Sequence, residues 1–185
     1  FTIAPFAMQN ILRAQWIAVG ETTFASLYVG HGFSRIDIFN KNNLMMTRGI
    51  KTGIGSMMAA IEESILETYP DKKIDQARIN KILGDIDANP GKSIEDEDGI
   101  QWSERTILDM ITPALERLVR QIESTLEYYA SSTGSERVEK LYISSIQNVF
   151  HRTLLNSIKE QLGTASEFFD PFKGKNDSVS GASLS

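Results

Sequence analysis

The residues best suited to chemistry lie in one glycine turn between two strand-like stretches. Gly30 and Gly32 follow Tyr28, and Ser34 comes directly after the turn. Glycine lets a backbone turn sharply, or approach a ligand closely, where a Cβ atom would clash. The turn could therefore cradle a phosphate or only join two strands, and a Gly-x-Gly pair alone does not decide between the two.

Few other residues have the type or spacing of a catalytic or metal site. His31 lies in the turn and could reach a ligand, but we favour a structural role for it. His151 lies on a predicted helix without a metal-binding partner at suitable spacing, so a surface or packing role is expected. The acidic run at 95–98 lacks the ligand spacing of a calcium-binding loop, and we interpret it as a solvated loop. No nucleophile elbow, zinc-protease or Walker A motif is present.

Composition excludes several classes of function. The 185 residues are 41% hydrophobic and 23% charged, which is typical of a globular protein with a real core. A net charge of −5 argues against a nucleic-acid partner. The absence of cysteine excludes disulfides and thiolate metal sites and fits a reducing compartment. No apolar run approaches the roughly 18 residues that span a bilayer, so direct membrane insertion is not expected.

Hydrophobic periodicity predicts the elements that position the turn. Short connections between three strand-like stretches indicate an antiparallel meander around it. Further strands and helices follow, which indicates a mixed α/β layer architecture. The predicted strands cover residues 24–29, 35–39, 44–50, 138–144 and 165–169, and the predicted helices cover 4–16, 54–68, 75–83, 104–130 and 146–162.

Capping and breaking residues set the expected helix ends. Ser103 and Ser145 are candidate N-caps. Pro113 should kink the long helix or start a new one after Thr112. Residues 85–99 have no periodicity and are predicted to form a loop, and the polar stretch 173–185 is predicted to be a disordered tail or linker. The expected buried stripes are Ile54, Met57, Met58, Ile61 and Ile65, then Ile107, Ile111, Leu115, Leu118, Ile122, Leu126 and Tyr129.

Several runs, in order, resemble the actin-like ATPase superfamily. The stretch from Tyr28 to Ser34 is similar to its second phosphate motif, Asp-x-Gly-x-x-x-Thr. Residues 47–55, with Gly53 and Gly55, resemble a strand and glycine-containing helix entry. Residues 113–129 resemble a long helix that ends in a tyrosine pair, and 137–144 resemble the strand before the adenosine loop. Within the superfamily, the chain most resembles the type IV pilus assembly protein PilM family, which is related to FtsA.

The resemblance implies a fold and a division of the chain. The expected fold is α/β, an actin-like (ribonuclease H-like) lobe. It has a mixed sheet with an antiparallel three-strand meander flanked by helices, plus a small helical inserted subdomain. Residues 1–66 would begin subdomain 2A, 67–106 would form the inserted subdomain 2B, and 107–172 would return to 2A. This is the second lobe, so the first lobe would lie before Phe1.

The nucleotide site that the resemblance implies is altered at both of its halves. Tyr28 stands where the family has an aspartate, and a phenol cannot hold Mg²⁺ as a carboxylate does. Ser144 and Ser145 stand where the family has two glycines, and their Cβ atoms would crowd the nucleotide. The candidate nucleotide-binding residues are Tyr28, Gly30, Gly32, Ser34, Gly53, Gly55, Ser144 and Ser145. ATP with Mg²⁺ is the implied cofactor, yet we expect hydrolysis to be lost and the hairpin to be empty of nucleotide.

Three functions remain open from the sequence. The favoured hypothesis is a non-catalytic scaffold, or pseudo-ATPase, of a type IV pilus or related secretion assembly at the cytoplasmic face of the inner membrane. Its partners would be inner-membrane assembly proteins, and the motifs also allow a close cousin, the cytoplasmic part of a type II secretion inner-membrane platform protein. The alternative is an active ATP-binding ATPase that changes conformation. A third reading, an unrelated interaction domain, predicts that the meander and the strand at 138–144 lie in separate sheets. Self-association through 107–129 is also considered, although that stripe is expected to be buried.

Overall fold

A computed structural model describes residues 22–41, 43–72, 75–134, 136–145 and 151–168 of the chain. A central five-stranded sheet forms its framework, in the order β3-β2-β1-β6-β7. The predicted helix at 4–16 and the predicted tail at 173–185 lie outside the described residues. The strands of this sheet are β1 (Thr23–Val29), β2 (Ser34–Asn40), β3 (Asn43–Ile50), β6 (Lys140–Ser145) and β7 (Ala165–Phe168).

The sheet is mixed, as expected. β1 pairs with β2 and β2 with β3 in antiparallel register, which forms the predicted meander. β1 also pairs with β6 in parallel, and β6 pairs in parallel with β7. The meander and the later strand therefore share one sheet, which removes the reading of an unrelated domain with separate sheets.

Four described helices accompany this sheet, and two of them supply most of the buried apolar residues that the helices contribute to the core. The helices are α1 (Ile54–Thr68), α2 (Gln76–Ala88), α3 (Glu104–Ser132) and α4 (His151–Leu162). The five residues predicted as the apolar stripe of α1 are all buried. On α3 the predicted stripe is buried except for Leu126, which packs partly exposed against the same core. Both helices therefore follow their amphipathic pattern.

Pro113 does not divide the long helix. α3 runs without a break from Glu104 to Ser132 with Pro113 inside it, so a new helix after Thr112 is wrong. The proline lies on the exposed side, where the carbonyl that loses its N–H partner can bond water. Ile111 and Leu115, on either side of it, are buried and hold both halves of the helix against the same core.

A small inserted unit lies between α1 and α3. It consists of α2 and of a two-stranded sheet, β4 (Ile94–Glu95) paired with β5 (Gln101–Trp102). α2 is longer than predicted and runs to Ala88, because Ile86 is buried in the core and extends its apolar face. The exact division of the chain at residues 67 and 107 stays a prediction. No described helix is both long and apolar enough to cross a membrane.

Candidate functional site

The structure brings Tyr28 next to Ser144 and Ser145 at the carboxyl ends of two neighbouring central strands. In the parallel pair of β1 and β6, Tyr28 lies opposite Ser144, and Val29 lies opposite Ser145. Both strands end here, and the carboxyl ends of parallel strands are where open α/β sheets bind ligands. The two altered halves of the predicted nucleotide site are therefore neighbours in space.

Tyr28 is part of an aromatic pair at this edge. Its ring is partly buried and lies 6.4 Å from the ring of Phe33, centroid to centroid, at a tilt of 57°. Phe33 belongs to the turn and is 51% exposed. Two aromatic rings thus occupy the place where the resemblance would put a metal-binding carboxylate.

The glycine turn is closed by its own backbone, and only one of its two glycines is sterically required. The Gly30 N–H donates to the Phe33 carbonyl over 3.0 Å. A Cβ on Gly30 would lie 2.7 Å from that carbonyl oxygen and 3.0 Å from Cε1 of Tyr28. A Cβ on Gly32 would meet no atom within 4 Å. Gly30 is therefore explained by crowding within the turn, whereas nothing in the structure demands glycine at 32.

The turn is also bonded to the first residues of α1. The N–H of Ile54 donates to the Gly30 carbonyl over 2.9 Å, and the N–H of Gly55 donates to the His31 carbonyl over 2.8 Å. The N–H of Ser56 donates to the Gly53 carbonyl over 3.0 Å. The first N–H groups of a helix normally lack partners and attract anions. Here the three N–H groups at the start of α1 bond carbonyls of the protein itself.

Gly53 and Gly55 allow this close approach of turn and helix. A Cβ on Gly53 would lie 2.4 Å from the Gly30 oxygen and 2.5 Å from the His31 oxygen. A Cβ on Gly55 would lie 3.0 Å from both the carbonyl oxygen and Nε2 of His31. His31 thus has the structural role favoured above, because its carbonyl bonds α1 and its ring lies beside Gly55.

The three serines of the candidate site differ in burial and in hydrogen bonding. Ser34 is fully buried and donates its hydroxyl to the Thr52 carbonyl over 2.6 Å, which fixes the start of β2 against the entry to α1. Ser144 is only partly buried, and its hydroxyl lies 3.5 Å from the Leu27 carbonyl. Ser145 is the last residue of β6, and residues 146–150 after it lie outside the described part of the chain, so its role as an N-cap stays a prediction.

A buried polar ladder beside the site was not singled out from the sequence. Asp37 is 3% exposed and accepts hydrogen bonds from Nε of Arg35 over 3.0 Å and from the Thr47 hydroxyl over 2.8 Å. Arg35 lies opposite Tyr28 in the pairing of β1 and β2, so the ladder continues the same face of the sheet. In the sequence, the only sign of this ladder is that polar residues alternate with Ile36 and Ile38 along the strand. Both oxygens of Asp37 are engaged, so the ladder fastens β2 to β3.

Within the acidic run at 95–98, Asp96 departs from the solvated loop that was expected, whereas Glu95, Glu97 and Asp98 are exposed. Asp96 Oδ1 accepts the N–H groups of Asp98 and Ile100, and Oδ2 accepts from Arg78 Nη2 over 2.7 Å and Trp102 Nε1 over 2.8 Å. Its side chain is 6% exposed. Burial alone would raise the pKa of Asp96, but the hydrogen bonds from Trp102, Arg78 and the two N–H groups outweigh burial and lower the pKa to about 2. Asp96 joins α2 to β5 through Arg78 and Trp102. Its burial was not predicted because these two partners lie outside the acidic run.

Other chemistry is sparse in the described part of the chain. There, no group of three histidine, aspartate or glutamate side chains could hold a metal ion. A cavity of about 490 Å³ lies at the opposite end of β6 and β7, beside the segments of chain that lead into these two strands. None of the predicted site residues lines this cavity, whose polar lining includes Glu123, Glu127 and Arg137. His151 is the first described residue of α4.

Solved structures with an actin-like fold are similar to this chain. It superposes on a PilM–PilN type IV pilus biogenesis complex with a TM-score of 0.66 and 16% identity, over 92% of this chain and 42% of that one. The archaeal actin homologue Ta0583 in complex with ADP gives 0.64 and 12%, over 92% and 51%. MreB 5 of Spiroplasma citri bound to AMPPNP gives 0.62 and 13%, over 86% and 52%.

These similarities establish the fold and nothing narrower. The chain has an actin-like α/β fold and spans about half or less of the length of the three structures. No protein-family model matches the sequence, and a search of curated protein sequences also finds no match. At 12–16% identity, membership of the PilM family remains a hypothesis.

Proposed function

We propose that this chain is the second lobe of an actin-like scaffold protein that does not hydrolyse ATP and serves a type IV pilus or related secretion assembly. The observation that carries the proposal is the internal bonding of the glycine turn. The carbonyls of Gly30 and His31 accept hydrogen bonds from the N–H groups of Ile54 and Gly55, so these two donors at the start of α1 are not available to a phosphate.

The side chains at the same edge support the loss of nucleotide chemistry. Holding Mg²⁺ calls for carboxylate oxygens, whereas this edge presents the rings of Tyr28 and Phe33. Ser34, the counterpart of the family's threonine, is buried and donates to Thr52. The only described carboxylate in the adjoining ladder, Asp37, is already paired with Arg35 and Thr47. These residues do not fit a magnesium–nucleotide group.

The assembly role rests on similarity to the PilM–PilN complex. PilM is there in complex with PilN in type IV pilus biogenesis, so inner-membrane assembly proteins are the proposed partners of the present protein. It would then lie at the cytoplasmic face of the inner membrane, attached through a partner. Cell fractionation tests this location. Recovery with the inner membrane and release by alkaline carbonate are expected, and recovery entirely in the cytosol would contradict it.

An active ATP-binding protein is the second candidate. His31, Gly32 and Phe33 at the tip of the turn are exposed, so a ligand could approach this edge. Two similar structures carry ADP and AMPPNP. In this alternative, nucleotide binding would change the conformation of the protein, as in a working ATPase.

Isothermal titration of the full-length protein with Mg-ATP separates the two candidates. The scaffold proposal predicts no micromolar binding and no turnover for the wild type. It also predicts that Tyr28→Asp leaves binding unchanged, because α1 and Ser34 keep their internal bonds. Tyr128→Asp, at a tyrosine that is 61% exposed on α3, is the matched control. Micromolar binding with turnover, or a gain in affinity specific to Tyr28→Asp, would favour the ATPase.

A further inference from the structure

The outer edge of β3 is an open strand edge with exposed apolar side chains. β3 pairs only with β2 among the described strands, and it is the end strand of the five-stranded sheet. Its eight residues are mostly exposed, and Leu44 and Met45 are 37% and 51% exposed. A strand edge presents a row of unpaired N–H and C=O groups that can pair with another chain.

This edge has few of the features that usually prevent pairing. Proteins protect long edges with proline, charged side chains, β-bulges or a covering element. β3 contains no proline and one charged residue, Arg48, and its residues at 43–45, 47 and 49 remain exposed. The pairing with β2 skips Met45 between Leu44 and Met46, which is a β-bulge near one end of β3, and the run from Met46 to Ile50 is regular.

The charge around the edge indicates what would bind there. The chain carries a net charge of −5, yet residues 38–61 contain Lys41, Arg48 and Lys51 and no aspartate or glutamate. The carboxylates nearest to β3, Asp37 and Glu136, bond other side chains, Asp37 with Arg35 and Thr47 and Glu136 with Asn40. Within the described residues, none of these three cations forms an ion pair. An apolar edge with uncompensated cations favours an occupant with apolar and acidic residues. A second copy of this edge would instead bring three cations from each molecule together.

We propose that the β3 edge binds an extended acidic segment of a partner protein, which adds to the sheet as a sixth strand. Main-chain hydrogen bonds to β3 would supply affinity, while Met45 and Arg48 would select alternating apolar and acidic side chains. This interaction surface lies on the meander, and the proposal does not depend on whether the candidate nucleotide site at Tyr28 and Ser144 binds a nucleotide.

The test uses the full-length protein and two labelled peptides. One is a capped ten-residue peptide that alternates valine with glutamate, and the other has lysine in place of glutamate. Fluorescence anisotropy measures affinity, and hydrogen exchange with mass spectrometry locates the binding. The glutamate peptide should bind at least about tenfold more tightly than the lysine peptide and slow exchange at residues 43–50.

Matched variants identify the residues responsible. Met45→Glu and Arg48→Glu should each weaken binding of the glutamate peptide by about tenfold, because they add repulsion at the edge. Leu66→Glu matches Met45 with 49% exposure on α1, and Arg120→Glu is an exposed charge reversal on α3; both should change affinity by less than about twofold.

Four results obtained with the peptides would overturn the proposal. These are no binding of the glutamate peptide, equal binding of the two peptides, protection only outside 43–50, or insensitivity to both edge variants. Protein-concentration-dependent protection of β3 without peptide would show that a second copy occupies the edge, which also contradicts an acidic partner segment.

Discussion

The turn at Gly30 and the loop at Asp96 provide hydrogen-bond acceptors for backbone N–H groups in opposite ways. In the turn, the carbonyls of Gly30 and His31 accept the N–H groups at the start of α1. In the inserted loop, one carboxylate accepts the N–H groups of Asp98 and Ile100. The turn therefore depends on the absence of side chains, and the loop depends on the presence of a single charge.

This difference shows why residue type alone does not identify a ligand site. Glycines spaced as in the turn are typical of phosphate loops, yet here Gly30, together with Gly53 and Gly55 of the helix entry, lets two segments of backbone touch. A run of acids is typical of a solvated loop, yet Asp96 is buried among four donors. What decides the role is whether the donors and acceptors already have partners within the protein.

The largest effect is expected when the charge in the loop is removed. Asp96→Asn should lower the free energy of unfolding by about 4 kcal/mol, because it removes a buried carboxylate partner of Arg78 and Trp102. Chemical denaturation measures the change. Glu97→Gln is the control, since the Glu97 side chain is 71% exposed. Equal stability of the two variants would show that the neighbouring acids can replace Asp96.

The turn should be nearly as sensitive to an added side chain at the helix entry. Gly53→Ala should lower the free energy of unfolding by about 3 kcal/mol, because the new Cβ would lie 2.4 Å from a backbone oxygen that cannot move freely. Gly84→Ala in α2 is the matched control, where a Cβ meets no atom within 4 Å and should stabilise by up to about 1 kcal/mol. Two similar losses of stability would argue against close contact at Gly53.

Acid should weaken the loop over a defined range of pH. The pKa of Asp96 is lowered to about 2 in the folded protein, below its ordinary value near 4. The stabilisation is therefore complete above about pH 4 and is lost as the pH falls towards 2, a change of about 2 kcal/mol. Denaturation midpoints of the wild type and Asp96→Asn should converge over this range. A constant difference between them would contradict the lowered pKa.

The smallest effect is expected at the tip of the turn. Gly32→Ala should change the free energy of unfolding by less than about 0.5 kcal/mol, because its Cβ would enter open space. Thermal unfolding is sufficient to test this. A loss comparable to that of Gly53→Ala would mean that both glycines of the turn are structurally required.

Local signals account for the parts of the fold that the sequence predicted well. The stripe of α1 repeats with the period of a helix, and Ser103 accepts the Thr106 N–H as the predicted N-cap of α3. The failures involve partners far along the chain. Gly53 is needed because of carbonyls in the preceding hairpin, and Asp96 is held by Arg78 of α2. Neither relation leaves a periodic pattern that a sequence could reveal.

The candidate site was predictable only in part for the same reason. The resemblance brought Tyr28 and Ser144 into one site, and the parallel pairing of β1 and β6 places them opposite each other. The bonds of Ile54 and Gly55 to the turn were not predicted, because backbone donors have no signature in residue types.

Hydrogen exchange at Ile54 and Gly55, followed by NMR with and without Mg-ATP, tests the central claim most directly. If the turn closes the start of α1, both amides exchange slowly and Mg-ATP leaves their exchange and chemical shifts unchanged. Rapid exchange in the free protein, or a change in these two amides on addition of Mg-ATP, would show that the donors are available to a nucleotide and would contradict the account.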